Sequence, residues 1–202
     1  QQLSDLLAEA VGERRNILVC GGTGSGKTTT LAAIAGLLPR DERIVTIEDT
    51  AELRLELDHV VRLEARPATI EGRGEVTIRR LVRNALRMRP DRIIVGEVRG
   101  AEALDMLIAL STGHDGSLTT IHAGSPQEAL RRLETLALMA DLGLPHAAVR
   151  SQVAEAIDLV VLQVRDASGH RYVASVHEVA EAAAIGQSIC VQQLYRSEGV
   201  VD

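Results

Sequence analysis

One eight-residue segment, Gly21-Gly22-Thr23-Gly24-Ser25-Gly26-Lys27-Thr28, constrains this chain more than any other. It follows a short apolar stretch, Asn16–Cys20, that reads as a buried strand. It precedes a stretch with helical character, from about Lys27 to Leu38, stopped by Pro39. A glycine-rich turn in that position lets the backbone curl so that several N–H groups point at one anion. The helix N-terminus adds about half a positive charge. The spacing fits G-x-x-x-x-G-K-[ST] without a mismatch. Gly22, Thr23, Gly24, Ser25, Gly26, Lys27, Thr28 and Thr29 are therefore the candidate phosphate-binding residues. Lys27 supplies a mobile cation for β- and γ-phosphates, and the Thr28 hydroxyl suits Mg²⁺.

The rest of the chain alternates between the two kinds of element. A helix is expected over 3–11, strands over 43–47 and 59–63, and a loop over 65–75. Thr77 caps an amphipathic helix whose apolar face is Ile78, Leu81, Val82, Ala85 and Leu86. Its other face carries Arg80, Arg83 and Arg87, a solvated surface or a contact to a neighbouring subunit. Ile93–Val95 is wholly apolar, as in a parallel sheet buried on both faces. A helix over 101–110 and a strand over 117–121 follow. Ser125, Pro126 and Glu128 open a helix to about Ala140, and another spans 145–157. Strands are expected near 159–164, 171–179 and 188–195, the first two joined as a hairpin through Asp166–His170. Alternation of this kind gives a three-layer α/β fold with a largely parallel sheet and an antiparallel C-terminal extension.

Length and composition limit the rest. The 202 residues suffice for one α/β domain. The first residue is Gln rather than Met, so a fragment of a longer protein is expected. Tyr172 and Tyr195 are the only aromatics, so the core is aliphatic. A net charge of −6 opposes general nucleic-acid binding, which rests on phosphate neutralisation. No apolar run approaches the roughly 18 residues of a membrane span. Cys20 and Cys190 form no CxxC pair, and both lie in apolar runs, so buried thiols in a reducing cytosol are expected. Of 22 Lys and Arg residues only Lys27 is lysine, and it stands in the one motif that needs it.

Carboxylates recur where strands end. Glu48 and Asp49 close the second strand, with Glu52 just beyond, and Gly96-Glu97 closes the apolar one. Ligands of open α/β sheets bind at those carboxyl ends, and phosphate hydrolysis needs a metal clamp and an oriented water. Glu97 suits Mg²⁺, through water, or the attacking water itself. Glu48 suits the general base, and the two roles can be exchanged. His122 ends the strand over 117–121 and suits a γ-phosphate sensor. His114 reads equally well as a structural hydrogen-bonder. His59, His146, His170 and His177 read as surface or turn residues.

Together these segments resemble the secretion ATPases of the type II and type IV superfamily. The matching pieces are the loop 21–28, the stretch Thr46-Ile47-Glu48-Asp49-Thr50-Ala51-Glu52-Leu53, the stretch from Leu86 to Gly100, and the region of His122. Within that superfamily the chain looks closest to tight-adherence (Flp) pilus assembly ATPases, over about residues 15–165. The resemblance implies a RecA-like domain that binds ATP with Mg²⁺, a hexameric ring, and a motor on the cytoplasmic face of the inner membrane, docked on a pilus or secretion platform protein. It implies that Arg99 couples the γ-phosphate to movement of the ring. It also implies an N-terminal domain that closes over the nucleotide, with residues 1–15 as the helix leading from it and 158–202 as a C-terminal strand extension. Gly124 departs from the family, where Asn is common after His-Ala. Two other readings stand beside this one: a RecA-like nucleic-acid motor, and a nucleotide-binding regulator without turnover.

Overall fold

The computed structural model describes residues 1–180 and 189–197. Its elements, in chain order, are α1 (Gln2–Gly12), β1 (Ile17–Gly21), α2 (Lys27–Ala35), β2 (Ile44–Glu48), β3 (Val60–Glu64), α3 (Ile78–Ala85) and β4 (Arg92–Val95). There follow α4 (Glu102–Leu110), β5 (Leu118–His122), α5 (Pro126–Leu138), α6 (His146–Ala156), β6 (Leu159–Arg165), β7 (Arg171–Val179) and β8 (Val191–Arg196). The eight strands form one sheet in the order β3-β2-β4-β5-β1-β6-β7-β8. The first six of that order run parallel. β7 and β8 add antiparallel to the β6 side, so the expected extension is present.

Strand alternation splits the core in two. Leu18 and Cys20 of β1 face a cluster containing residues of α3, α4, α5 and α6. Ile17 and Val19 face a second cluster containing Leu7, Ala10 and Val11 of α1 and Leu31 and Ile34 of α2. The sheet is thus covered on both faces, which is why β1, β2 and β4 are buried throughout rather than alternating.

Local chemistry sets the helix ends. The Thr77 side chain accepts from the N–H of Arg80, and that of Ser125 accepts from the N–H of Glu128. Caps of this kind contribute about 1 kcal/mol each. α2 stops at Ala35, short of the expected Leu38, because its last turn tightens after Gly36. Leu37 and Leu38 donate to Ile34 and Ala35, three residues back. The stretch 65–75 is less irregular than the sequence suggests, since Arg66 and Val76 exchange both backbone hydrogen bonds. The final strand begins at Val191. Ser188, with which it was expected to begin, lies outside the described residues, as do 181–187 and 198–202 of the C-terminal extension.

Two expectations about exposure are corrected. Cys20 is buried, its thiol pKa pushed up to about 12 by loss of water, but Cys190 is exposed. His177 is half-buried within β7, and burial lowers its pKa. Arg83 is exposed on the α3 face, as expected, and from there pairs at 2.6 Å with Asp105 of α4, which Arg79 also holds at 2.5 Å.

Candidate functional site

The parallel strands β1, β2, β4 and β5 bring the loop 21–28, Glu48, Glu97 and His122 to one edge of the sheet. At that edge the loop turns through two left-handed residues, Gly24 (φ 69°) and Gly26 (φ 97°), where a side chain would be strained. A Cβ on Gly21 would collide with the carbonyl oxygen of Gln163 on β6, so glycine there permits the close approach of a neighbouring strand. The Lys27 ammonium lies back across the loop, 3.2 Å from the Gly22 carbonyl oxygen.

Gln163, which the sequence did not single out, fastens this loop. Its buried amide donates to the Ser25 carbonyl at 3.0 Å and accepts from the Thr30 hydroxyl of α2 at 2.8 Å. One side chain thereby ties the loop and the first helical turn to β6. The contact spans 138 residues, so no local pattern could have shown it.

The acids differ in their support. Glu48 is only 4% exposed. Its Oε1 accepts the backbone N–H groups of Glu52 and Leu53 at 3.0 and 2.9 Å, and its other oxygen has no protein donor among the described residues. Glu97 is more open, and Arg99 holds it through Nε at 2.9 Å and Nη2 at 2.6 Å. The Glu97 carboxylate raises the pKa of that guanidinium, and Asp49 lies 3.8 Å away on its other side. Glu102 in turn accepts the N–H groups of Arg99 and Gly100, fixing the chain where it enters α4.

Gly96 occupies the position before Glu97 where an aspartate is usual, and the packing gives the reason. A Cβ there would approach the Glu48 side chain to 3.1 Å, so the glycine makes room for that acid. The Thr120 hydroxyl of β5 bonds the Gly96 carbonyl at 2.7 Å and holds the strand end in place.

A cavity of about 310 Å³ opens between these parts. Thr28, Glu48, Asp49, Glu52, Gly96, Glu97, Arg99 and Glu102 all line it. His122 lies beside it, paired in register with Gly21 and half-buried, but is not among its walls. His114 falls at the opposite edge of the sheet, where its Nδ1 meets the Ala109 carbonyl at the end of α4. Its position is that of a helix-end hydrogen-bonder. Gly124, the family departure, is held another way: its N–H donates to the Glu128 carboxylate at 2.7 Å.

A three-layer, mainly parallel sheet with a glycine-rich phosphate loop between β1 and α2 defines a P-loop α/β domain of the RecA-like kind. The comparisons with known proteins narrow that class. The chain belongs to the family described as Type II/IV secretion system protein, whose model matches residues 1–201. It is 50% identical over 186 residues, 92% of the chain, to a Mycobacterium tuberculosis protein provisionally named for conjugal transfer. It is 47% identical over 169 residues, 81% of the chain, to the type IV secretion system protein PtlH of Bordetella pertussis. Among solved structures, the VirB11 ATPase of the Brucella suis type IV secretion system, in complex with sulphate, superposes with a TM-score of 0.78 at 36% identity. That match covers 87% of this chain. The chain spans 52%, 49% and 52% of these three proteins in turn, about half the length of each.

Proposed function

We propose that this chain binds Mg-ATP between the loop 22–29 and the ends of β2 and β4, and hydrolyses it to drive a protein-secretion or pilus-assembly machine. The observation carrying this reading is that Thr28 of the phosphate loop and two acids from separate strands, Glu48 and Glu97, wall one cavity. The donor set consists of a hydroxyl and carboxylates, the hard oxygen ligands that Mg²⁺ prefers when it is shared with phosphates. Among the described residues no group of three or more His, Cys, Asp or Glu is placed to hold a metal ion. Thr28, and Glu97 through water, would hold Mg²⁺, which supplies charge neutralisation on the phosphates.

The chain's own residues have distinct tasks. Lys27 leaves the Gly22 carbonyl for the β- and γ-phosphates. Glu48, fixed through one oxygen by two backbone N–H groups, keeps the other for the attacking water and takes its proton. Arg99 releases Glu97 and turns to the γ-phosphate, coupling that group to movement of the ring. His122, one strand from the loop, senses the same phosphate.

The functional assembly in this reading is a ring of identical chains on a platform protein at the cytoplasmic face of the inner membrane. The relatives' secretion and conjugal-transfer names support it. The narrower placement with tight-adherence pilus ATPases rests on the sequence resemblance over about residues 15–165 alone. No described helix is long and apolar enough to cross a membrane.

Binding and turnover measured on two variants test the reading. Lys27→Ala is expected to abolish productive ATP binding. Glu97→Gln should bind ATP within a few-fold of the parent while turnover falls by about 10²–10³. Undiminished hydrolysis by either variant removes the assigned roles. Stimulation by polynucleotide would favour a nucleic-acid motor instead.

A further inference from the structure

The phosphate loop is overhung on one flank by two arginines that the reading above does not use. Arg165 ends β6 and Arg171 begins β7. The two are cross-strand partners at the mouth of the hairpin, so their side chains leave the same face of the sheet. A Cβ built on Gly24 would lie 3.9 Å from Arg165 Nη1, and one on Gly26 would lie 3.4 Å from Arg171 Cδ. Both arginines are exposed, and neither makes an ion pair or side-chain hydrogen bond among the described residues. The nearby acid does not serve them. Asp166 is bound to Ser168 and to the His170 N–H within the hairpin turn.

This arrangement is electrostatically unfavourable for the protein alone. Two cations stand beside Lys27 at the positive end of α2, where an anion is favoured and a cation is not. Local rules are broken in this way where a ligand restores the balance. A single phosphate in the loop is already served by backbone N–H groups and Lys27, so the hairpin arginines point to further negative charge.

The strand order says where along the ligand that charge lies. β2 and β4, which deliver Glu48 and Glu97, lie on one side of β1. β6 and β7, which deliver the arginines, lie on the other. A triphosphate crossing the loop with its γ end among the acids, where Thr28 also points, has its α end toward the hairpin. We infer that Arg165 and Arg171 hold the α-phosphate of the bound nucleotide, within the same chain that supplies the loop. The inference rests on the ATP-binding reading above.

Calorimetric titration of the protein with ATP and with ADP tests it. Because α-phosphate is common to both, an Arg165→Ala/Arg171→Ala double variant should lose affinity for each by the same factor, about tenfold or more. Both side chains are exposed and unpaired, so its thermal midpoint should match the parent's. An Arg165→Lys/Arg171→Lys variant, which keeps the charges, should recover much of the lost affinity. Unchanged binding of both nucleotides by the alanine variant overturns the inference. So does a loss confined to ATP, which would place the arginines at the γ-phosphate, and so does a lysine variant as weak as the alanine one. A parent protein that binds neither nucleotide sinks the ATPase reading instead, since the loop itself would then have failed.

Discussion

The two edges of the sheet carry similar polar groups and treat them in opposite ways. At the amino edge, Arg92 is 1% exposed and every nitrogen of its guanidinium is bonded. Its Nε and Nη2 reach Glu42, and its Nη1 reaches the carbonyls of Val11 and Gly116. Glu42 also takes Arg14 at 2.7 Å. Beside them Asp158 accepts the Asn16 N–H, and Asn16 Oδ1 accepts the Ser117 N–H. At the carboxyl edge, Arg99 is paired with Glu97, but the cations around the loop 21–28 are less occupied. Lys27 touches one backbone carbonyl, Arg165 and Arg171 have no carboxylate, and the buried Ser25 hydroxyl has no partner. A complete set of partners marks charges that organise the fold; an incomplete set marks charges that await a ligand.

The contrast can be broken by mutation, and the largest expected effect is at the carboxyl edge. Glu48→Gln keeps an amide oxygen to accept the Glu52 and Leu53 N–H groups, so the fold should persist. Steady-state turnover should fall by about 10²–10⁴, the usual contribution of a general base. A Glu48→Gln enzyme as fast as the parent would move that role to Glu97.

Next is Arg92→Ala at the amino edge. It leaves Glu42 with Arg14 alone and takes the arginine donor from the buried Val11 and Gly116 carbonyls, and should cost about 3–5 kcal/mol of stability. Urea denaturation measures it, and a loss of nucleotide affinity at unchanged stability would erase the distinction between the edges.

Gln163→Ala lies between the two classes, since it is buried and well bonded yet touches the phosphate loop. It should lower stability by about 1–3 kcal/mol, as expected for unsatisfied buried groups, and weaken ATP binding as the loop loosens. An effect on stability alone would make it a fold residue.

The smallest effect is a pH dependence at His177. Burial lowers its folded-state pKa below the ordinary 6.5, so the unfolded chain takes up the proton first. Its contribution is intact above that value and is lost as pH falls through it toward the folded-state pKa. His177→Gln should flatten the stability profile in that window and leave the profile at neutral pH unchanged.

Much of the carboxyl edge was legible in the sequence because its signals are local. The loop spacing, the apolar strand before Gly96-Glu97 and the caps at Thr77 and Ser125 each fit within a few residues. What escaped depends on which strands become neighbours. β6 lies beside β1 although they are far apart in the chain, so neither the Gln163 clasp nor the proximity of Arg165 and Arg171 to the loop could be read from spacing. Nor could spacing show that Gly96 leaves room for Glu48, which comes from the adjacent strand. Arg92 precedes an apolar run and gave no hint of burial, because its partners come from α1, from the turn before β2 and from the turn before β5. Cys190 misled for another reason: side chains alternate along extended chain, so its neighbours Ile189 and Val191 pack on the core while Cys190 is exposed.

Glu48 is anchored to more than the sheet. The two amides it holds belong to Glu52 and Leu53, and Leu53 and Leu55 are plugged into the core with Leu7 and Val11 of α1 and Leu31 of α2. The acid therefore cannot shift without breaking those two hydrogen bonds or pulling a backbone tether whose far end is set beneath the first helix. A displacement of one carboxylate at the cavity wall is relayed in this way to the opposite face of the sheet from α3–α6.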